Sequence, residues 1–218
     1  LVYDYGMGFW GPNAHDGLWH VSLINQLAKF DFSHPSFAGY PIMNYHYGFD
    51  LLVAFTHRLT HIPVVTLYFQ VIPILLSLIA GIILYKHVKR FPFPSSAFWI
   101  IFFFYFGGSF GYLVNLIKGQ SLAGESSFWA IQPISYLLNP PFMLSLVFLL
   151  VGFYYFDRYW IGRKKINFWI SVLFLGTIIM VKVYAGVIIL TGLLIMAISN
   201  YFSDKNKDHL KLFVSCLL

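Results

Sequence analysis

Residues 166–202 read INFWISVLFLGTIIMVKVYAGVIILTGLLIMAISNYF, an apolar run interrupted by one charge, Lys182. As a single α-helix this stretch would extend about 55 Å, against the ~30 Å of hydrocarbon that a span has to cross. It is therefore expected to fold as two short spans. The break is expected at Lys182, Val183, Tyr184, Ala185 and Gly186, where a lysine and a glycine separate two lipid-compatible flanks.

Other runs repeat the pattern. Residues 63–85 are apolar throughout, about 35 Å as a helix, and end in Lys86, His87, Lys89 and Arg90. Pro92 and Pro94 follow and stop the helix, because proline lacks an amide donor. Residues 95–117 and 133–156 are the next expected spans, the second kinked or unwound at Asn139, Pro140 and Pro141. The composition agrees: 59% of residues are hydrophobic and only 10% charged. Soluble domains carry about 25% charged residues, so a water-soluble protein is excluded.

Charge placement sets the expected topology. If Lys86, Lys89 and Arg90 lie on one side, then Arg158, Arg163, Lys164 and Lys165 return to it after two crossings. A hairpin at Lys182 brings Lys205, Lys207 and Lys211 there as well. The positive-inside rule makes that side cytoplasmic and puts residues 1–62, the 119–132 loop and Lys182 outside. The expected architecture is all-α and polytopic. Residues 1–62 form an extracytoplasmic loop with two interfacial helices, and 63–218 hold about five spans plus the start of another. With Leu1 at one end and the short apolar run 212–218 at the other, the chain is read as an internal fragment. A lone cysteine, Cys216, offers neither a disulfide nor a zinc motif.

The polar chemistry is concentrated in residues 1–62, which hold six of the eight histidines. After Gly11, Pro12 and Asn13, residues 15–30 (HDGLWHVSLINQLAKF) sort on a helical wheel. Trp19, Leu23, Ile24, Leu27, Ala28 and Phe30 share one face; Ser22, Asn25, Gln26 and Lys29 share the other. Asp16 and His20, four apart, fall on the apolar face. Two readings fit Asp16: a helix cap partnered by His20, or a carboxylate held beside His15 and His20 as general base or metal ligand.

Residues 46–62 form a second amphipathic pattern, with Phe49, Leu51, Leu52, Val53, Phe55, Leu59 and Ile62 on a broad apolar face. His46, Asp50, His57 and His61 are expected opposite it. An interfacial helix explains the stripe, and a metal site of three imidazoles and a carboxylate is the alternative, although HExxH spacing is missing. His46, in the Tyr45–His46–Tyr47–Gly48 cluster, is placed to point back toward Asp16. Lys182 is either a snorkelling interfacial lysine or a cationic point suited to a phosphate. Glu125 is read as an exposed loop charge. Walker, GxGxxG and hydrolase-elbow motifs are all missing, as is any aromatic-basic stripe for nucleic acid.

The stretches HDGLWHVSLINQLAKF and SFAGYPIMNYHYGFDLL, several spans and the KVYAG break together resemble the GT-C superfamily of membrane glycosyltransferases. Within it, the chain resembles in particular the prokaryotic membrane proteins grouped loosely with dolichyl-phosphate-mannose-type mannosyltransferases and lipopolysaccharide sugar transferases. The resemblance implies a multi-pass cell-membrane enzyme with its active site on the extracytoplasmic side. It would transfer a sugar from a polyprenyl-phosphate donor to a glycan, lipid or protein acceptor with inversion. It further implies Asp16 as catalytic base and Lys182 as the lysine at a break between two short spans; His20, His46, Arg58 and Tyr184 are the further candidate substrate-binding residues, with no role for His46 inherited from the family. Some members use a divalent ion, Mg or Mn, for which His15, Asp16 and His46 are the candidate ligands. Asp4 or Asp50 supplies the acidic residue if the correspondence shifts. A transporter or a non-catalytic polytopic membrane protein is the alternative; a transporter normally has repeated halves and midplane polar groups.

Overall fold

The computed structural model describes residues 2–4, 6–7, 15–90, 96–108, 110–121, 130–204 and 207–218. Gly11, Pro12, Asn13, Pro92, Pro94, Glu125 and Lys205 lie outside the described residues. Among the described residues the fold is all-α apart from two small antiparallel hairpins, β1–β2 (Val2–Tyr3 and Gly6–Met7) and β3–β4 (Ser33–His34 and Phe37–Pro41).

Helix α1 covers Asp16–Leu27 and α2 covers Gly48–Thr60. At 1.5 Å per residue they are about 18 and 20 Å long, too short to cross a bilayer. The chain leaves α1 through Phe30, which is left-handed at φ 59°. Asp31 Oδ1 then accepts the Ser33 amide at 2.9 Å and opens the β3–β4 hairpin. Because the helix has already ended, Phe30 does not continue the apolar face of α1 as the wheel predicts; it is exposed, with the Arg58 guanidinium 4.4 Å from its ring centroid. Helix α2 stops at His61, also left-handed, two residues before Pro63.

Helix α3 spans Val64–Val88 and contains a π turn over Leu67–Val71. Pro73 follows that turn and lacks the amide that would bond the Phe69 carbonyl in α geometry. Among the described residues three helices are long and apolar enough to cross a membrane: α3, the helix Pro140–Gly162, and the Val183–Phe202 part of Val183–Asp204. The shorter helices Ser96–Phe106 and Gly111–Ile117 (α4 and α5) occupy the region expected to be a single span. The 11-residue α4 extends only about 16 Å. The chain breaks after it at Gly107 and Gly108, where Gly108 pairs with Ile131, so the single span at 95–117 is not formed.

Gln132–Leu138 (α6) ends at Asn139, and α7 is Pro140–Gly162. Asn139 caps α7 by accepting the Phe142 amide at 3.2 Å, so the expected interruption falls at the proline pair. The break at Lys182 is also present. Helix α8 is Lys165–Val181, Lys182 is extended (φ −153°, ψ 110°), and α9 is Val183–Asp204. A Cβ added to Gly186 would lie 2.6 Å from Ile179 Cα, whereas seven residues of straight helix rise about 10.5 Å. The chain therefore turns sharply here.

Contacts sort the helix ends into two groups. At one end, Lys182 Nζ donates to Asn139 Oδ1 at 3.5 Å, and Gly48 at the start of α2 meets the Met180 carbonyl at the end of α8. At the other, Arg90 pairs with Asp157, and Arg163 pairs with Asp208 at the start of α10 (Asp208–Leu217).

Leu23, Ile24 and Leu27 of α1, Phe49 and Val53 of α2, Leu67 and Tyr68 of α3, and Met143 and Leu144 of α7 pack into one core. Burying the aliphatic side chains of α1 and α2 away from water contributes roughly 1.5–3 kcal/mol each. The face that α2 turns to this core is Phe49, Asp50, Val53 and Ala54, while Leu51, Leu52, Phe55 and Leu59 are exposed. The predicted faces of α2 are thus redrawn. Most of its broad apolar face points away from the protein, and one member of the predicted polar stripe points in.

Candidate functional site

The centre of the site is a buried pair. His20 lies on the inward face of α1 with Gly17, Leu23, Ile24 and Leu27, and Asp50 lies in the first turn of α2. Their side chains meet at 2.7 Å, His20 Nδ1 to Asp50 Oδ1, with the carboxylate side chain 0% exposed. Aromatic rings enclose the imidazole. Tyr68, carried by the π turn of α3, stacks on it at 5.7 Å and 24°, while Phe49 and Tyr45 flank it at 6.3 Å. π turns frequently mark functional positions, and here the widened turn carries the stacking ring.

Burial pushes the Asp50 carboxyl above its ordinary value, opposed chiefly by the His20 hydrogen bond. Asp50 Oδ2 is buried with no hydrogen-bond partner among the described residues, and so is His46 Nε2. Burial, then the charges of Lys182 and His20, hold the His46 imidazole below its usual range. Burial together with the charges of Asp50 and Asp16 pushes the Tyr45 phenol up to about 12. These shared electrostatic effects place Asp16, His20, Tyr45, His46, Asp50 and Lys182 in one neighbourhood.

Asp16 occupies the open edge of that neighbourhood. The expected burial on the apolar face is not found: its side chain is 72% exposed, because it is the first residue of α1 and precedes the inward seam that starts at Gly17. Its partner is His15 Nδ1 at 3.0 Å rather than His20, which Asp50 has taken. Asp16 is not the N-cap residue either; that position is His15, and no side chain caps the helix. Lys182 lies within electrostatic reach of both Asp16 and Asp50, and its Nζ sits 5.6 Å from the Tyr184 ring centroid. A cavity of about 310 Å³ adjoins this cluster between the His46 turn and the α8–α9 break, lined by Tyr45, His46, Gly48, Met180 and Val183 among others. Gly48 makes the approach possible, since a Cβ there would come 2.7 Å from the Met180 carbonyl oxygen.

Arg58 stands apart from this cluster. It lies eight residues beyond Asp50, about 12 Å along α2, and its Nη1 donates to the Ala28 carbonyl at 2.5 Å, tying α2 to the end of α1. The predicted stripe His46, Asp50, His57 and His61 is likewise divided. Asp50 is in the core, His57 Nδ1 is 2.7 Å from the Ile62 carbonyl oxygen, and His61 forms the left-handed helix end. Among the described residues no three His, Cys, Asp or Glu side chains gather as a metal-binding group, so His15, Asp16 and His46 are not brought together as ligands.

Sequence reasoning missed the Asp50–His20 pairing and the rings of Tyr45 and Tyr68. The available signal was Ala54, a small residue in register with Asp50 and Val53, where α2 packs closely on the protein. No protein family, curated protein or solved structure matches this chain in comparison.

Proposed function

We propose that this protein is an integral membrane glycosyltransferase that moves a sugar from a polyprenyl-phosphate donor to an extracytoplasmic acceptor with inversion. The observation that carries the reading is a solvent-open carboxylate, Asp16, within electrostatic reach of a partly buried cation, Lys182, which sits at a helix break next to residues that line a cavity. Asp16 accepts the proton of the acceptor hydroxyl as its oxygen bonds to the anomeric carbon. The bond from that carbon to the lipid phosphate breaks on the opposite face, and Lys182 meets the charge that develops on the leaving phosphate. The buried His20–Asp50 pair clamps α1 to α2 beneath Asp16, which fixes where the carboxylate stands.

In this reading the protein is multi-pass, with the Asp16–Lys182 end extracytoplasmic and the Arg90–Asp157 and Arg163–Asp208 end cytoplasmic. The grouping of helix ends supports it, because it pairs the termini that the positive-inside rule assigns to common sides. Helices α1 and α2 lie along the outer interface, with Leu51, Leu52, Phe55 and Leu59 in the acyl boundary.

The test is sugar transfer by the purified protein in liposomes, supplied with a panel of labelled polyprenyl-phosphate sugars. Asp16→Asn is expected to leave the melting temperature unchanged, as the side chain is exposed, and to lower turnover by about 10²–10⁴-fold. Unchanged turnover in Asp16→Asn removes the base, and no transfer from any donor removes the activity.

A further inference from the structure

The opposite end of the molecule carries a second feature. Between α3, α7 and α8 runs a groove of about 410 Å³, walled by Ile83, Val151, Ile170 and Leu173 and closed at its rim by Lys86 and Tyr154. Its volume is in the range of ligand pockets, ~300–1,000 Å³. The walls belong to apolar helices, so the occupant of the groove comes from the bilayer.

The rim is strongly cationic. The Arg90 guanidinium lies 4.9 Å from the Tyr154 ring centroid, and Arg158 lies 5.9 Å from it while donating to the Tyr154 hydroxyl at 3.2 Å. Lys89 sits over Tyr85 one turn away. Against these four cations stands one carboxylate, Asp157, which pairs with Arg90. Neither Lys86 nor Arg158 has a carboxylate partner among the described residues. Cations left without counter-charges at the mouth of an apolar groove select a ligand with an acyl body and an anionic head. Tyrosines at such a boundary place a ring in the apolar layer and a hydroxyl at headgroup level.

We propose that the groove between α3, α7 and α8 binds an anionic diacyl phospholipid, with one acyl chain along Ile83, Val151, Ile170 and Leu173 and the phosphate held by Lys86 and Arg158 beside Tyr154. This site is at the end of the helices remote from Asp16 and Lys182 and does not depend on the glycosyltransferase reading.

The test is native mass spectrometry of the detergent-purified protein titrated separately with phosphatidylglycerol, phosphatidylcholine and a polyprenyl phosphate. Phosphatidylglycerol is expected to be retained at least about tenfold better than phosphatidylcholine. Lys86→Gln and Arg158→Gln should each lower that preference about fivefold, the worth of one basic residue beside an anionic lipid. Leu173→Trp, at an exposed position, should fill the groove and abolish retention while circular dichroism shows unchanged helicity. Equal retention of the two phospholipids, a preference unaffected by the charge variants, or stronger retention of the polyprenyl phosphate would overturn the proposal.

Discussion

Asp50 and His20 lie on different helices thirty residues apart from each other in the chain, and each makes the burial of the other tolerable. A carboxyl group with no water around it is destabilised in its charged form, and one hydrogen bond from an imidazole offsets only part of that cost. Burial therefore dominates and raises the carboxyl above its ordinary value of 3.8. A raised folded-state value means that the native protein binds this proton more tightly than the unfolded chain does. The stabilisation is then fully present below 3.8 and is lost as pH rises through the folded-state value. Asp50→Asn keeps the size and the acceptor oxygen but cannot ionise. Melting curves in detergent from pH 4 to 7 should show the wild type losing stability relative to Asp50→Asn as pH increases. A difference that stays constant or changes in the opposite direction would show that burial does not control this group.

At the scale of elements, the α8–α9 turn positions Lys182, and it depends on how closely Gly186 approaches Ile179. An alanine Cβ there would be 2.6 Å from Ile179 Cα and 2.9 Å from its amide nitrogen, both backbone atoms that cannot rotate aside. Gly186→Ala is expected to cost about 1–3 kcal/mol, the usual penalty for overpacking. Gly192, in the same helix, has nothing within 4 Å of an added Cβ. Gly192→Ala should therefore be neutral or stabilise by up to about 1 kcal/mol, since alanine loses less backbone entropy in a helix. Thermal unfolding of the two variants side by side measures the contrast. Equal melting temperatures would mean that the turn does not need the close approach. The same logic applies to the π turn of α3, where backbone geometry at Leu67–Val71 puts Tyr68 against His20.

For the whole molecule, the topology proposed above makes sidedness testable. With Cys216 replaced by serine, a single cysteine at Ser36 should react with a membrane-impermeant maleimide in intact cells. Cysteines at Lys164 and Lys207 should react only after permeabilisation. Labelling of Lys207 from outside would mean that α9 does not return the chain across the membrane, and the proposed topology would fail. Exposed apolar surface is extensive on α4, α8 and α9, including Phe98, Trp99, Trp169, Leu173, Ile188 and Ile195. This is the surface expected of helices whose surroundings are lipid rather than water.

Properties set by local physics were legible in the sequence. Helix length against hydrocarbon thickness, a lysine between apolar flanks and a proline pair after Asn139 each act within a few residues, and the breaks at Lys182 and Asn139 fall where these features put them. The region 95–117 was misread because apolarity sets the solvent of a segment but not its continuity, and the chain breaks there at Gly107 and Gly108. Only the tertiary structure decided which side of α2 meets protein. A lipid-facing surface and a protein-facing surface are both apolar, so a helical wheel cannot distinguish them, and Asp50 was assigned to the wrong one. The same limit hid the partner of His20, which comes from another helix, and left Asp16 as an exposed carboxylate brought within electrostatic reach of Lys182 where α2 packs against the end of α8.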